Sequence, residues 1–149
     1  MRTRNVVAIV AAVSISVFSA AAKGNSVPEY LSAVIAEGDA HTEQFEWGTL
    51  VSYFSDETFG TKDALAAVAI IKPGMEIHPP HQHAEEEFLM VLEGNGEWHL
   101  LGKDFPAQAG DMLYAGPWDI HGVRNTGTEP LKFVVWKWNS KGLELPTKP

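Results

Sequence analysis

A chain of 149 residues, 45% hydrophobic and 20% charged, is long enough for one domain with a proper core and too short for two. Its formal net charge is −8 and it contains no run of basic residues, which argues against nucleic-acid binding through phosphate contacts. Cysteine is absent, which excludes thiol catalysis, disulfides and a lipid-bearing N-terminal Cys.

Arg2 and Arg4 open the chain, and residues 6–22, VVAIVAAVSISVFSAAA, follow without a charge and end on Ala20, Ala21 and Ala22. That order describes a secretory signal peptide cut after Ala22, and its removal would take the net charge to −10. The stretch is marginal for a membrane span, which wants about 20 strongly apolar residues. A periplasmic or extracellular protein without a stable membrane anchor is therefore expected. Ser26-Val27-Pro28-Glu29 reads as a capping box with an early proline, and Leu31, Val34 and Ile35 fit one helical stripe before Gly38. The pattern predicts a short helix over about 27–36 within an N-terminal linker of residues 23–46.

From Trp47 the texture changes. Short apolar runs (LVSYF, LAAVAII, FLMVL, EWHLL, DMLYA, LKFVVWKW) alternate with Gly, Pro, Asn and Asp, which predicts an all-β sandwich or barrel over 47–140. The LGKDFPAQAGD stretch at 101–111 reads as a connection, and Asn95-Gly96 predicts a type I′ hairpin turn. Residues 141–149, rich in Pro and Lys, are expected to form a loose tail.

Half of the six histidines fall between residues 78 and 83, just before three consecutive glutamates, in HPPHQHAEEEFLMVLEG. On an extended strand His81 and His83 share a face, and Glu85 and Glu87 share their parity while Glu86 does not. Imidazoles with a carboxylate suit Fe, Mn, Co, Ni or Zn, whereas Ca and Mg want oxygen ligands. A solvated histidine–acid turn without metal is the rival reading, and parity leaves Glu85 and Glu87 both open.

The segment from Gly74 to Gly94, GMEIHPPHQHAEEEFLMVLEG, resembles the first motif of the cupin superfamily, in which a glycine precedes H-x-H, a glutamate follows after three residues and a glycine after six more. Those gaps pick Glu87 as ligand; the stretch before the histidines is one residue longer than usual. GDMLYAGPWDIHGVRN, from Gly110 to Asn125, is similar to the second cupin motif and contributes His121, with Gly116-Pro117-Trp118 where the family usually has Pro-x-Gly. The resemblance implies a cupin-type β-barrel (double-stranded β-helix, or jelly roll), one divalent transition metal (Fe, Mn, Ni, Co or Zn) on His81, His83, Glu87 and His121, and a homodimer. The run at 88–92, apolar on both faces, agrees with a covered outer surface.

His78 lies off the ligand parity, before two prolines, as a rim histidine with a possible part in substrate contact. Trp118, in the second-motif loop, is a candidate to narrow the mouth and stack on substrate. Tyr53 and Tyr114 are candidate proton donors, though a tyrosine in an apolar run commonly only satisfies its hydroxyl. His99 and His41 are expected to be structural or solvated, and Trp136 and Trp138 to serve core or interface. Arg124 is the only arginine after Arg4 and lies on the face opposite His121, so no arginine clamp exists for a phosphate or polyanion. Small metal-coordinating organic substrates are favoured. Within the cupins a dioxygenase-type oxidation leads; a non-redox lyase or isomerase acting on an acid or sugar acid, and a non-catalytic small-molecule or sugar-binding protein, are the alternatives.

Overall fold

The computed structural model describes residues 32–149, so the signal-peptide reading and the first part of the expected helix lie outside the described residues. Residues 32–36 carry no helix; a single 3-10 turn follows at Glu37–Asp39. Val34 of the expected stripe is fully exposed, and a one-face helix this short depends on packing of that face.

Nine strands follow: β1 (His41–Gln44), β2 (Gly48–Asp56), β3 (Thr61–Ile71), β4 (Glu86–Glu93), β5 (Asn95–Leu100), β6 (Lys103–Gln108), β7 (Met112–Ala115), β8 (His121–Arg124) and β9 (Leu131–Ser140). They build a six-stranded sheet ordered β1-β2-β3-β9-β4-β7 and a three-stranded sheet ordered β6-β5-β8, with every pairing antiparallel. Alternation decides which side each strand buries. Ala67, Ala69 and Ile71 of β3, Leu89 and Val91 of β4, and Leu131, Phe133 and Val135 of β9 meet Trp98 of β5 and Val123 of β8 in one core between the sheets. Each of the six expected apolar runs falls on a strand, with Leu101 and Asp111 just beyond the strand ends.

Three expectations change. The sheet begins at His41, ahead of residue 47, because the polar HTEQ segment pairs with β2 as an exposed edge. Residues 103–108 form β6, although Pro106 cannot donate to a ladder; as the outer strand of its sheet β6 tolerates it. Asn95-Gly96 is not a hairpin turn. β4 and β5 belong to different sheets, and the chain turns the corner between them at Gly94 (φ +86°), where a Cβ would strike the Pro130 carbonyl. The tight hairpin lies one strand later: Leu101 (φ +52°) and Gly102 (φ +78°) link β5 to β6 with the positive φ of a type I′ turn.

The outer face of the larger sheet is apolar but incompletely covered. Phe88 pairs in register with Tyr114 and Trp136, and Met90 with Met112 and Val134. Met112, Tyr114 and Trp136 are all exposed.

Candidate metal centre

The four residues singled out by the two motifs converge, by a route that simple strand parity did not describe. His81 is no part of a long strand: it forms an isolated bridge with His121, each backbone N–H donating to the other's carbonyl at 2.9 Å. That exchange sets His81 against the start of β8. The chain then turns, and β4 begins only at Glu86. Glu87, Leu89 and Val91 face inward from β4, which brings the Glu87 carboxylate beneath the rings. The loop before His121 is fastened to the first motif, Trp118 N–H donating to the His83 carbonyl at 2.7 Å and Gln82 Nε2 to the Trp118 carbonyl at 3.1 Å. Gly116-Pro117-Trp118 thus holds the loop in place, with Trp118 at φ +64°.

One ligand atom from each of His81, His83 and His121 can be chosen so that all lie within 4.8 Å of one another. Metal–nitrogen bonds of about 2.0–2.1 Å place neighbouring ligand atoms about 3 Å apart, so the rings would draw closer together around a bound ion. Hydrogen bonds set the tautomers. His121 Nδ1–H donates to the Asp119 carbonyl at 2.8 Å and His83 Nδ1–H to the Glu85 carbonyl at 3.1 Å, so each Nε2 lone pair turns toward the cluster. His81 Nδ1 and His121 Nε2 are buried with no hydrogen-bond partner among the described residues. Buried polar atoms without partners are costly, and two beside one carboxylate fit a bound cation. His83 Nε2 lies 3.0 Å from Glu87 Oε2; two lone-pair atoms that close call for a proton or a metal ion.

The electrostatics agree. Burial alone would raise the Glu87 carboxyl, but the imidazoles of His121 and His83 outweigh it and hold its pKa at about 2. His81 is lowered to about 4, by burial first and then by the neighbouring His78, His121 and His83 rings, so it stays neutral with its lone pair available. Burial lowers His121 too, yet the Glu87 carboxylate and the Asp119 carbonyl carry it upward overall. At 3.8 Å the His121–Glu87 contact is electrostatic, too long for a hydrogen bond.

The cluster opens on a cavity of about 170 Å³ between the sheets, walled by Leu50, Leu65, Ile77, Leu89 and Phe133. His78 lines the cavity as well, exposed, with its ring centroid 3.9 Å from that of His81. The other candidates lie elsewhere. Tyr114 points outward, because Leu113 and Ala115 take the inward positions of β7; its hydroxyl donates to Glu86 at 2.9 Å, which raises its pKa. Tyr53 occupies the bulge in β2 and does not line the cavity. Trp118 is turned to the C-terminal tail, its Nε1–H donating to the Pro146 carbonyl at 2.6 Å, and it too is absent from the walls. The tail at 141–149 has no regular strand or helix, but this bond fastens it. His99 pairs with Asp104 at 2.6 Å across the β5–β6 hairpin, a structural role.

One cavity residue escaped the sequence reading: Lys137. It follows Phe133 and Val135 on the inward face of β9 and faces Glu87 in register. The period-two pattern of LKFVVWKW carried that signal, masked by the paired tryptophans.

A jelly-roll barrel whose floor gathers three histidines and a buried glutamate from these two motifs is the cupin architecture, and the chain belongs to the cupin superfamily. The Cupin domain family model matches residues 67–137. The chain is 32% identical over 81 residues to the oxalate-binding protein of Thermotoga maritima, covering 54% of this chain and 67% of that one. It is 29% identical over 89 residues to gentisate 1,2-dioxygenase of a Streptomyces species, covering 59% of this chain and 23% of that longer protein. Among solved structures, a protein described as a predicted oxalate decarboxylase from Thermotoga maritima superposes with a TM-score of 0.62 at 24% identity, over 72% of this chain and 99% of the other, a likeness of fold.

Proposed function

We propose that the chain is an exported, metal-dependent cupin enzyme that oxidises a small metal-coordinating organic acid with dioxygen. The observation that carries this reading is the pair of partnerless ring nitrogens, on His81 and His121, beside a carboxylate held ionised at the floor of an apolar cavity. When bound on His81, His83, Glu87 and His121, a divalent transition metal supplies Lewis acidity and redox electrons, and four protein ligands leave up to two positions open on an octahedral ion. The hydrogen bonds to Asp119 and Glu85 orient two of the rings, while Leu50, Leu65, Ile77 and Phe133 exclude water and accept the apolar body of a substrate. Oxalate and gentisate, in the names of two relatives, are both small carboxylates.

The lyase or isomerase alternative needs a residue to move a proton. Neither tyrosine candidate reaches the cavity, which leaves His78 at the rim and Lys137 on β9. A non-catalytic acid-binding protein is the second reading, favoured by the first relative's name. Elemental analysis of the protein purified without chelators, followed by oxygen-electrode assays with a panel of small aromatic and aliphatic acids, separates these. About one transition metal per chain with substrate-dependent oxygen uptake supports the oxygenase. Metal-dependent product formation without oxygen uptake would transfer the assignment to the lyase class. Saturable binding without product would leave a binding protein, and no metal even after reconstitution would sink the metalloenzyme. An intact mass placing the N-terminus at Lys23 would support export; one retaining Met1 would count against it.

We also propose that a second copy of the chain covers the outer sheet face of Phe88, Met112, Tyr114 and Trp136. A stable dimer buries about 800 Å² per partner, and an apolar sheet face suits that need. Light scattering of wild type should give twice the chain mass, and Trp136→Glu should yield monomers. A wild-type mass of one chain would exclude the dimer.

A further inference from the structure

We infer that Lys137 is the anion anchor of the cavity, and that it selects ligands with a carboxylate at one end and a compact apolar body. The inference rests on the metal-centre reading and adds to it a second point of attachment, contributed by a different strand. Lys137 faces inward from β9, in register with Glu87 on β4 and with Leu65 on β3. Its backbone lies one strand spacing, about 4.8 Å, from that of Glu87. An acid seated between them reaches the metal ligands and the ammonium together. Among the ionisable residues lining this cavity, only His78 and Lys137 are not proposed ligands, and of these only Lys137 offers an amine on a long flexible stem that can reach a ligand carboxylate. A cavity of about 170 Å³ gives room for a small acid.

A cation on the inward face of a strand needs a partner. Within the chain that partner is Glu85, whose Oε1 lies 3.8 Å from the Lys137 amine, beyond hydrogen-bond length. The same carboxylate approaches His83 Nδ1 at 3.3 Å. Glu85 is thus a loose internal counter-ion, and a ligand carboxylate takes its place at Lys137. The adjoining groove is acidic, with Asp56, Glu57 and Asp63 as well as Glu85, although Glu57 is paired with Lys141 at 2.9 Å. Outlying charges of that kind slow the entry of anions more than they weaken the seated complex.

The test is calorimetric titration of the full chain, loaded with Mn(II), with benzoate and with neutral benzamide, for wild type, Lys137→Met, Lys137→Arg and Glu85→Gln. Metal content and melting temperature are measured on each protein. Wild type should bind benzoate and not benzamide. Lys137→Met, which keeps the apolar stem, should weaken benzoate binding by about ten- to a hundredfold at unchanged metal content, as expected for loss of one charge-assisted hydrogen bond. Lys137→Arg should restore most of the affinity. Glu85→Gln, which removes the internal competitor, should strengthen benzoate binding. A purely structural ion pair would move melting temperature in both halves of the pair and leave the preference for benzoate over benzamide unchanged. That result, metal loss in Lys137→Met, or a metal-loaded wild type that ignores benzoate, would each overturn the inference. A wild type that takes up no Mn(II) would instead overturn the metal-centre reading beneath it.

Discussion

Replacing His121 with alanine should leave a folded protein that no longer retains a divalent metal. The side chain is 1% exposed and its Nδ1 proton is committed to the Asp119 carbonyl, so the other nitrogen has no role but to face the cluster. Loss of a contact that merely supports a ligand costs ten- to a hundredfold in metal affinity, and loss of the ligand itself should exceed about a hundredfold. The substitution also empties buried volume and strands the Asp119 carbonyl, a cost of about 2–4 kcal/mol that leaves the fold intact if the apoprotein is ordinarily stable. Metal per chain and thermal melting, read on the same sample, distinguish ligand loss from unfolding. His78→Ala is the control: the exposed rim ring should be dispensable for metal retention. Full metal content in a folded His121→Ala protein would remove His121 from the centre.

The largest effect on stability is expected at Asn125, the last residue of the second motif. Its side chain is completely buried and fully occupied. Nδ2 donates to the Ile71 and Glu129 carbonyls, both at 2.8 Å, and Oδ1 accepts from Gly127 N–H at 2.9 Å. Its backbone exchanges bonds with Gly74 and Met75 at 2.9 Å, so one residue joins the end of β3, the start of the first motif and the loop after β8. Asn125→Leu keeps much of the volume and orphans three polar backbone groups at about 1–3 kcal/mol each, for a total on the order of 3–5 kcal/mol after partial relaxation. For a domain of this size that corresponds to a fall in melting temperature of roughly 10–20 °C. Asn125→Asp should be damaging as well, since a carboxylate cannot donate to two carbonyls. A shift below about 3 °C for Asn125→Leu would show that water satisfies these groups.

Where the sequence was legible, alternation and motif spacing made it so. The inward runs of β3, β4 and β9 repeat every second residue, and glutamate spacing in the first motif singled out Glu87 over Glu85 and Glu86. Less legible was whatever depended on which strands become neighbours. β1 is exposed throughout and β6 nearly so, and β6 carries a proline, so neither shows the pattern of a half-buried strand. Asn95-Gly96 has ideal turn chemistry, but a barrel corner follows the sheets rather than the dipeptide, and only Gly94 could pass beneath Pro130. Parity was decisive where it was applied along a true strand. It would have turned Tyr114 outward from Leu113 and Ala115, and Lys137 inward from Phe133 and Val135. It was misleading across His81 to Glu86, where a turn interrupts the strand.

The proposed ligands belong to opposite walls of the molecule. Glu87 sits on the six-stranded sheet, while His121, with His81 clasped to it by paired backbone bonds, sits on the three-stranded one. An ion shared among them would rivet wall to wall, closing a covalent-like loop of about thirty-five residues between positions 87 and 121 in a chain that has no cysteine with which to make one. Such a rivet differs from a disulfide in being indifferent to reductants and vulnerable to chelators and acid, so the endurance of this protein would follow the local supply of metal rather than the local redox state.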